Sequence, residues 1–248
     1  MEKMDFKDGI LIIDTETTGL TGYPLDRVLE IGIAELKDGI VSKVYSEIIR
    51  YPDIVEFDKS YINPNGTKGI WIYRNSDLRI QDTLEAEKDV ETVAEEVRRL
   101  VAGREVTAYN VPYDFGKFLD YEPWSLKGTC PIPFDIMDLA TDRVYDLAYS
   151  DSIKDKVLQR MILDECRGNP DKWIRSEDAY RVLCPDDPGR LGMRQRHRAM
   201  DDAVREGWIY PQPRHLFTSL FLPEIIQGCK LGLTQLKASR RSRLQTKQ

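Results

Sequence analysis

The sequence lacks several features that would each point to a particular class of protein. It has 4 cysteines and 2 histidines in 248 residues. No Cys-x-x-Cys pair occurs, which excludes a zinc knuckle or a dense disulfide framework. No apolar run is long enough to span a membrane, and the charged N-terminus is not a secretory signal. These absences predict a soluble cytoplasmic protein with free thiols and no membrane partner.

An excess of positive charge is also missing. The chain has 36 Lys and Arg against 42 Asp and Glu, a net charge of -6. This excludes a protein that holds nucleic acid by bulk charge. A metal-dependent enzyme acting on nucleic acid remains compatible, because its ligands are acidic and a bound metal reverses the local sign.

The length and the 41% hydrophobic content are enough for one sizeable core, so one domain with insertions is favoured over two. We predict one domain over residues 1–212, large enough for an enzyme, with insertions near 50–80 and 149–192. A C-terminal helix and a basic tail would follow at residues 213–248.

The stretch Gly9–Leu20 organises the rest of the sequence. Ile10–Ile13 reads as a buried strand, and a Thr-Thr-Gly turn follows two acids, Asp14 and Glu16. Residues two apart in a strand share a face, so the two carboxylates would lie side by side. Two such charges are costly unless solvated, protonated or paired with a cation. The stretch alone leaves open a metal site and a solvated turn at a strand end.

Further elements follow from periodicity and turn signals. Val28–Leu36 and Ile40–Ile49 read as strands joined by an Asp-Gly turn, which predicts an antiparallel meander of three strands. Residues 50–80 are interpreted as a long loop or insertion packed on the surface. The remaining predictions are a helix from about Thr83 to Gly103, a strand at Glu105–Tyr109, a strand near Ile132–Ile136, a helix from Met137, an amphipathic helix within 151–166 with Ile153, Val157, Met161 and Ile162 on one face, and a helix capped by Ser176.

Two other patterns carry acids. Asp114 lies in Asn110–Leu119, a strand-to-helix turn, where it is either a ligand or a helix N-cap. His197 stands four residues before Asp201 and five before Asp202. Helical periodicity from the histidine would favour Asp201 over Asp202.

Together the three patterns resemble the DEDDh, or DnaQ-like, family of 3′-to-5′ exonucleases. The motifs are Ile12–Leu20 with Glu30-Ile-Gly on the next strand, Asn110–Leu119, and His197–Ala203, in the family's order. The resemblance covers roughly residues 8–210. It implies an α/β protein with the RNase H-like fold, in which helices flank a mixed five-stranded sheet.

The resemblance also implies a site that holds two divalent metal ions, Mg²⁺ or Mn²⁺. Asp14 would bridge both ions, while Glu16 and Asp202 would hold the ion that activates water. Asp114 would support the second ion through waters, and His197 would be the general base. In the family the histidine precedes the helix, which favours Asp202 over its neighbour.

Other expectations concern the surroundings of the site. Arg196 and Arg198 flank His197, and nearby positive charge would help to keep the imidazole neutral. By resemblance, residues after the first acids line the pocket of the 3′-terminal nucleotide. The predicted substrate-binding residues are Thr17, Thr18, Gly19, Leu20 and Asn110.

The expected partner is a single-stranded 3′ end, with DNA favoured over RNA. Because nothing in the sequence recognises a 2′-hydroxyl, an RNA-trimming enzyme is the alternative. A non-catalytic docking module that kept the fold is a further alternative, but no ligand position is lost. The insertions could serve a polymerase or repair partner, and the sequence does not set the oligomeric state.

Overall fold

A mixed sheet with strand order β3-β2-β1-β4 forms the centre of the fold. The computed structural model describes residues 9–169, 172–184 and 197–210. β1 pairs with β2 and β2 with β3 in antiparallel fashion, whereas β1 and β4 are parallel. The strands are β1 Ile10–Thr17, β2 Val28–Lys37, β3 Ile40–Ile48 and β4 Val106–Thr107.

Nine α-helices and one π-helical segment complete the described part of the chain. They are α1 Ile54–Ser60, α2 Ile72–Asn75, α3 Ile80–Glu85, α4 Val90–Val101, α5 Val111–Tyr113, the π-helical segment Asp114–Leu119, α6 Ile136–Tyr149, α7 Lys156–Gly168, α8 Ser176–Leu183 and α9 Ala199–Ile209. Among them no helix is long and apolar enough to cross a membrane.

The predicted meander is confirmed, and its turn has the expected geometry. Asp38 and Gly39 both have positive φ, 52° and 82°, as a tight hairpin of this hand requires. The strand β1 is buried on both faces, because alternate residues pack into different cores. Leu11 and Ile13 belong to the core under α4 and the π-helical segment, and Ile10 and Ile12 to the core under α6–α9.

The segment of residues 50–80 differs from the prediction of a surface loop. It contains α1 and α2, and its apolar residues form a third core with Leu29 of β2. Ile54, Ile70 and Leu78 are each 0% exposed. The segment is therefore a packed part of the domain, which the short and irregular spacing of its apolar residues concealed.

The prediction of a fifth strand near Ile132–Ile136 is wrong, and the described sheet has four strands. The segment does run beside β4, since Val106 N donates to Pro131 O at 2.9 Å and Ile136 N to Ala108 O at 3.1 Å. Helix α6 already begins at Ile136, so the contact is too short to form a strand ladder.

Two details of the later helices also correct the sequence interpretation. In α7, Ile162 is buried, but Val157 and Met161 are 71% and 51% exposed. Leu158 lies on the buried face in their place. Ser176 is the first residue of α8 and makes no capping hydrogen bond there. The predicted boundary at residue 212 stays a prediction, and the C-terminal segment 213–248 lies outside the described residues.

Helix α9 packs directly on β2 because position 32 is a glycine. A Cβ at Gly32 would lie 2.3 Å from the backbone carbon of Ala199 and the nitrogen of Met200. A second close approach occurs at Gly207, where a Cβ would lie 2.9 Å from Val41. These two contacts press the start and the end of α9 against the sheet, over the strand that carries Asp14.

Candidate active site

Two acids project from β1 toward α9. Asp14 and Glu16 lie opposite Gly32 and Glu30 in the ladder, so they share one face of the sheet. Glu16 is 7% exposed. The Asp14 Oδ2 atom is buried and has no hydrogen-bond partner among the described residues. Such orphaned oxygens are rare in native proteins and require an explanation.

Asp114 is brought to the same strand from the other side. It begins the π-helical segment and is 4% exposed. Its Oδ1 accepts hydrogen bonds from the Thr15 Oγ1 at 2.7 Å and the Thr15 N at 3.2 Å. Asp114 is not a helix N-cap, since the residue at that position of the π-helical segment is Tyr113. The turn before it is held by Asp135, which accepts from the Asn110 N at 3.1 Å.

Two adjacent acids of helix α9, Asp201 and Asp202, lie on different faces of the helix. Asp202 is 2% exposed and faces β1, whereas the Asp201 side chain is 52% exposed and forms an ion pair with Lys43 at 3.4 Å. His197 precedes the helix with φ 49°, an uncommon conformation for a residue other than glycine. Atoms of Glu16, His197 and Asp202 that can bind a metal lie within 4.8 Å of one another.

Arg198 anchors the segment that carries His197. Its Nε and Nη2 donate to both carboxylate oxygens of Glu30 at 2.8–3.1 Å, and the Ala199 N donates to the same group at 3.3 Å. The expectation that Arg198 would keep His197 neutral is therefore not supported, since its charge is neutralised by Glu30. Arg196 lies outside the described residues.

The pKa of His197 is nevertheless lowered. Burial is the largest cause and the nearby Arg205 adds to it, while Asp202 and Glu177 oppose the shift. Desolvation disfavours the charged imidazolium. Burial therefore favours the neutral ring, which can accept a proton, and Arg198 is not among the main causes of the shift.

The buried acids repel one another. The pKa of Asp14 is raised well above its ordinary value by burial and then by Glu206 and Asp202. Burial, followed by Asp202, likewise raises the pKa of Glu16. Burial raises the pKa of Asp114 to about 7, against the effect of the hydrogen bonds from Thr15. Clustered carboxylates with an orphaned oxygen are a donor set that fits a hard divalent cation.

Sequence reasoning missed two charged residues of this cluster. Arg205 and Glu206 on α9 are 5% and 3% exposed. Glu206 is the strongest charged neighbour of Asp14, and its own pKa is raised by burial and by Asp202. A helical periodicity of four from Asp202 would have found Glu206.

The predicted substrate residues lie in a loop fixed by its own hydrogen bonds. The Thr17 Oγ1 is 2.6 Å from the Tyr113 hydroxyl, and the Thr18 Oγ1 donates to Asp26 at 3.2 Å. A Cβ at Gly19 would lie 1.6 Å from the Tyr61 hydroxyl, so any other residue there would displace the Tyr61 side chain from its hydrogen bond with Asp26. Leu20, at the end of this loop, is 65% exposed.

An exposed tryptophan completes the surroundings of the site and was not predicted. Trp71 is 46% exposed, and its ring meets that of His197 edge-on with centroids 5.1 Å apart. Asn110 has a φ of 108° and lies at the turn before Asp114. An aromatic surface therefore borders the histidine, next to the cluster of acids.

The mixed sheet flanked by helices and the cluster of acids and histidine are consistent with an exonuclease. The sequence profile of the RNase T family, described as exonuclease, matches residues 11–161. The chain belongs to this family. The resemblance inferred from the motifs and the prediction of an enzyme of this class are thereby confirmed.

Individual proteins are also similar to parts of the chain. The chain is 30% identical over 116 residues to the 3′-5′ exonuclease DinG of Bacillus subtilis (strain 168), covering 47% of this chain and 11% of that protein. The chain therefore spans only about a tenth of the length of this relative. Among solved structures, exonuclease X in complex with 5′ overhanging duplex DNA is 17% identical, with a TM-score of 0.40 and coverages of 81% and 87%. The E. coli ExoI–ssDNA complex is 17% identical, with a TM-score of 0.47 and coverages of 80% and 39%.

Proposed function

We propose that the chain is a metal-dependent enzyme that removes nucleoside monophosphates from single-stranded 3′ ends, with DNA favoured over RNA. The convergence of Asp14, Glu16, Asp114, His197 and Asp202 supports this proposal. In particular, the buried Asp14 Oδ2 has no partner among the described residues, as expected of an oxygen kept for a cation.

In this proposal Asp14, Glu16 and Asp202 hold two Mg²⁺ or Mn²⁺ ions, and Asp114 supports one of them. When bound, such ions activate water and stabilise charge on the attacking and leaving oxygens. His197 accepts the proton of the attacking water on a ring nitrogen. Because its pKa is lowered, a larger fraction of the imidazole is neutral near pH 7.

The 3′-terminal nucleotide would lie between the loop at Thr17–Leu20 and Trp71. The loop offers a rigid backbone, and Leu20 and Trp71 offer exposed apolar surfaces. Base stacking on aromatic rings is tolerant of sequence, which suits an enzyme that trims ends. Asn110, at the turn before Asp114, would contact the same nucleotide. A polymerase or repair partner would dock on the segment of residues 50–80.

The experiment is digestion of 5′-labelled single-stranded DNA and RNA of matched sequence, each with Mg²⁺, Mn²⁺ or chelator. We expect a ladder that shortens from the 3′ end, only with metal, and faster on DNA. The control is the Asp14→Ala variant, which should fold and produce no ladder.

Other outcomes would redirect the proposal. A faster ladder on RNA would identify the alternative, an exoribonuclease of the same family. If neither strand were shortened with either metal, the non-catalytic docking module would be favoured. Near-full activity of Asp14→Ala would contradict the assignment of the metal ligands.

A further inference from the structure

A buried guanidinium contacts one of the acids of the site. Arg205 lies one turn after Asp202 on α9, and its Nη2 is 2.6 Å from the Asp202 Oδ1. The two side chains are 5% and 3% exposed. A charge pair this deeply buried costs desolvation energy on both sides, so its presence beside a proposed ligand requires a reason.

The same arginine is tied to a second helix. The Arg205 Nε donates to the Ser176 Oγ at 3.1 Å, at the first residue of α8. Ser176 thus contacts the arginine instead of capping its own helix. The guanidinium thus donates a hydrogen bond to Ser176 through Nε and lies in ion-pair contact with Asp202 through the neighbouring Nη2.

Glu206, the next residue on α9, is a buried acid near this arginine. It is 3% exposed, and its Oε2 has no hydrogen-bond partner in the part of the chain that the structure describes. Arg205 is the positive group that most lowers its pKa. Arg205 therefore places a positive charge among the buried acids, in contact with Asp202.

We propose that Arg205 is a positioning residue for the metal ligand Asp202. Its guanidinium lies in ion-pair contact with Oδ1 and thereby restricts rotation of the carboxylate that lies beside Glu16 and His197. Ser176 in turn fixes the orientation of the guanidinium. This inference rests on the proposed function, because it takes Asp202 as a ligand. Partners that orient a ligand carboxylate contribute about 10–100-fold to metal affinity.

The test is calorimetric titration of the full chain with Mn²⁺ without substrate, for wild type, Arg205→Met, Arg205→Lys and Ser176→Ala. We expect Arg205→Met to weaken Mn²⁺ binding by at least ~10-fold. Arg205→Lys should recover part of the loss, because it keeps the charge but not the fork. Ser176→Ala should weaken binding by a smaller factor. In turnover assays the same variants should lower kcat and leave KM unchanged, since the contact does not touch substrate.

A matched control uses another ion pair of the same spacing. Arg175, the extended residue before α8, and Asp178 are also three residues apart, at 2.8 Å, but Arg175 is 59% exposed and lies outside the cluster. Arg175→Met should leave Mn²⁺ affinity unchanged. Thermal unfolding with chelator identifies any variant that fails to fold, in which case Ser176→Ala decides the proposal.

Two results would overturn the inference. Unchanged Mn²⁺ affinity in Arg205→Met and Ser176→Ala would mean that the pair is only structural. Tighter binding would mean that the guanidinium competes with the ion. A wild-type chain that binds Mn²⁺ but cuts no strand would contradict the proposed function alone, because the affinities of the variants would still test the role of Arg205.

Discussion

Two groups of buried acids lie on the same face of the sheet, and they are stabilised in opposite ways. Glu30 is 1% exposed and is bound through both oxygens by Arg198 and the Ala199 N. Asp14 and Glu206 each keep a buried oxygen without a hydrogen-bond partner among the described residues. Burial alone therefore does not identify the site. The distinguishing property is a buried carboxylate oxygen without a hydrogen-bond partner.

The largest expected effect separates the two neighbouring acids of α9. Asp202→Asn removes a proposed ligand and should lower kcat by ~10³-fold, since metal stabilisation of the transition state is worth several kcal/mol. Asp201→Asn should stay within about twofold, because an exposed ion pair contributes little. The measurement is turnover on a labelled strand. Equal losses in both variants would contradict the division of α9 into a buried and an exposed acid.

Removing the satisfied acid should instead destabilise the fold. Glu30→Ala leaves Arg198 without its carboxylate, and breaking a buried pair costs about 3–5 kcal/mol. Because Arg198 is 31% exposed, we expect a value near ~3 kcal/mol in urea unfolding. The control is Asp53→Ala, whose exposed pair with Arg27 should cost less than ~1 kcal/mol. If Glu30→Ala lowered the free energy of unfolding no more than Asp53→Ala, the contrast between the hydrogen-bonded acid and the acids of the site would be wrong.

The unsatisfied acids should make stability fall as pH rises when no metal is present. Asp14, Glu16 and Glu206 have pKa values raised by burial, and that of Asp114 is raised to about 7. Between the unfolded and folded pKa values the folded state holds more protons, so the free energy of unfolding decreases with pH. We expect the Tm in chelator to be lower at pH 8 than at pH 5.

Mn²⁺ should reverse this trend, and Asp14→Asn should weaken it. Both effects are expected because the bound ion and the Asp14→Asn substitution each remove repulsion among the deprotonated carboxylates. The check is thermal unfolding across this pH range with and without metal. A Tm in chelator that rises from pH 5 to pH 8 would show that the cluster is not a cost to folding.

The smallest effect concerns the aromatic border of the site. Trp71→Ala should raise KM by about 5–10-fold, since stacking one base on an aromatic ring is worth ~1–3 kcal/mol. Trp71→Phe should keep most of the affinity. The measurement is a determination of KM and kcat separately for each variant, with short single strands as substrate. A change confined to kcat would assign Trp71 to the orientation of His197, whose ring it meets edge-on.

The sequence predicted those parts of the molecule that local periodicity determines. The strands β1–β3, their Asp-Gly turn and the placement of Asp14 and Glu16 on one face follow from alternation and turn chemistry. The choice of Asp202 over Asp201 depended on the family pattern, because the rule of four holds only within a helix. His197 lies before α9, so the rule does not apply to it.

Other features depend on tertiary contacts and could not be inferred. Val157 and Leu158 are adjacent and both apolar, and only the packing of α7 against α6 decides which is buried. The segment of residues 50–80 has no clear period, yet it forms a core with β2. Trp71 approaches the site from a distant part of the chain, and a single sequence carries no signal of that proximity.

Position 32 has a consequence for any map of tolerated substitutions. Gly32 has no functional group, but it sets the depth at which α9 rests on β2. A methyl group there would move His197, Asp202 and Arg205 together, away from Asp14. In a saturation screen scored by activity, Gly32 should therefore be as intolerant as the acids themselves. The enzyme depends on this spacer as much as on its reactive groups, although no inspection of side-chain chemistry would select it.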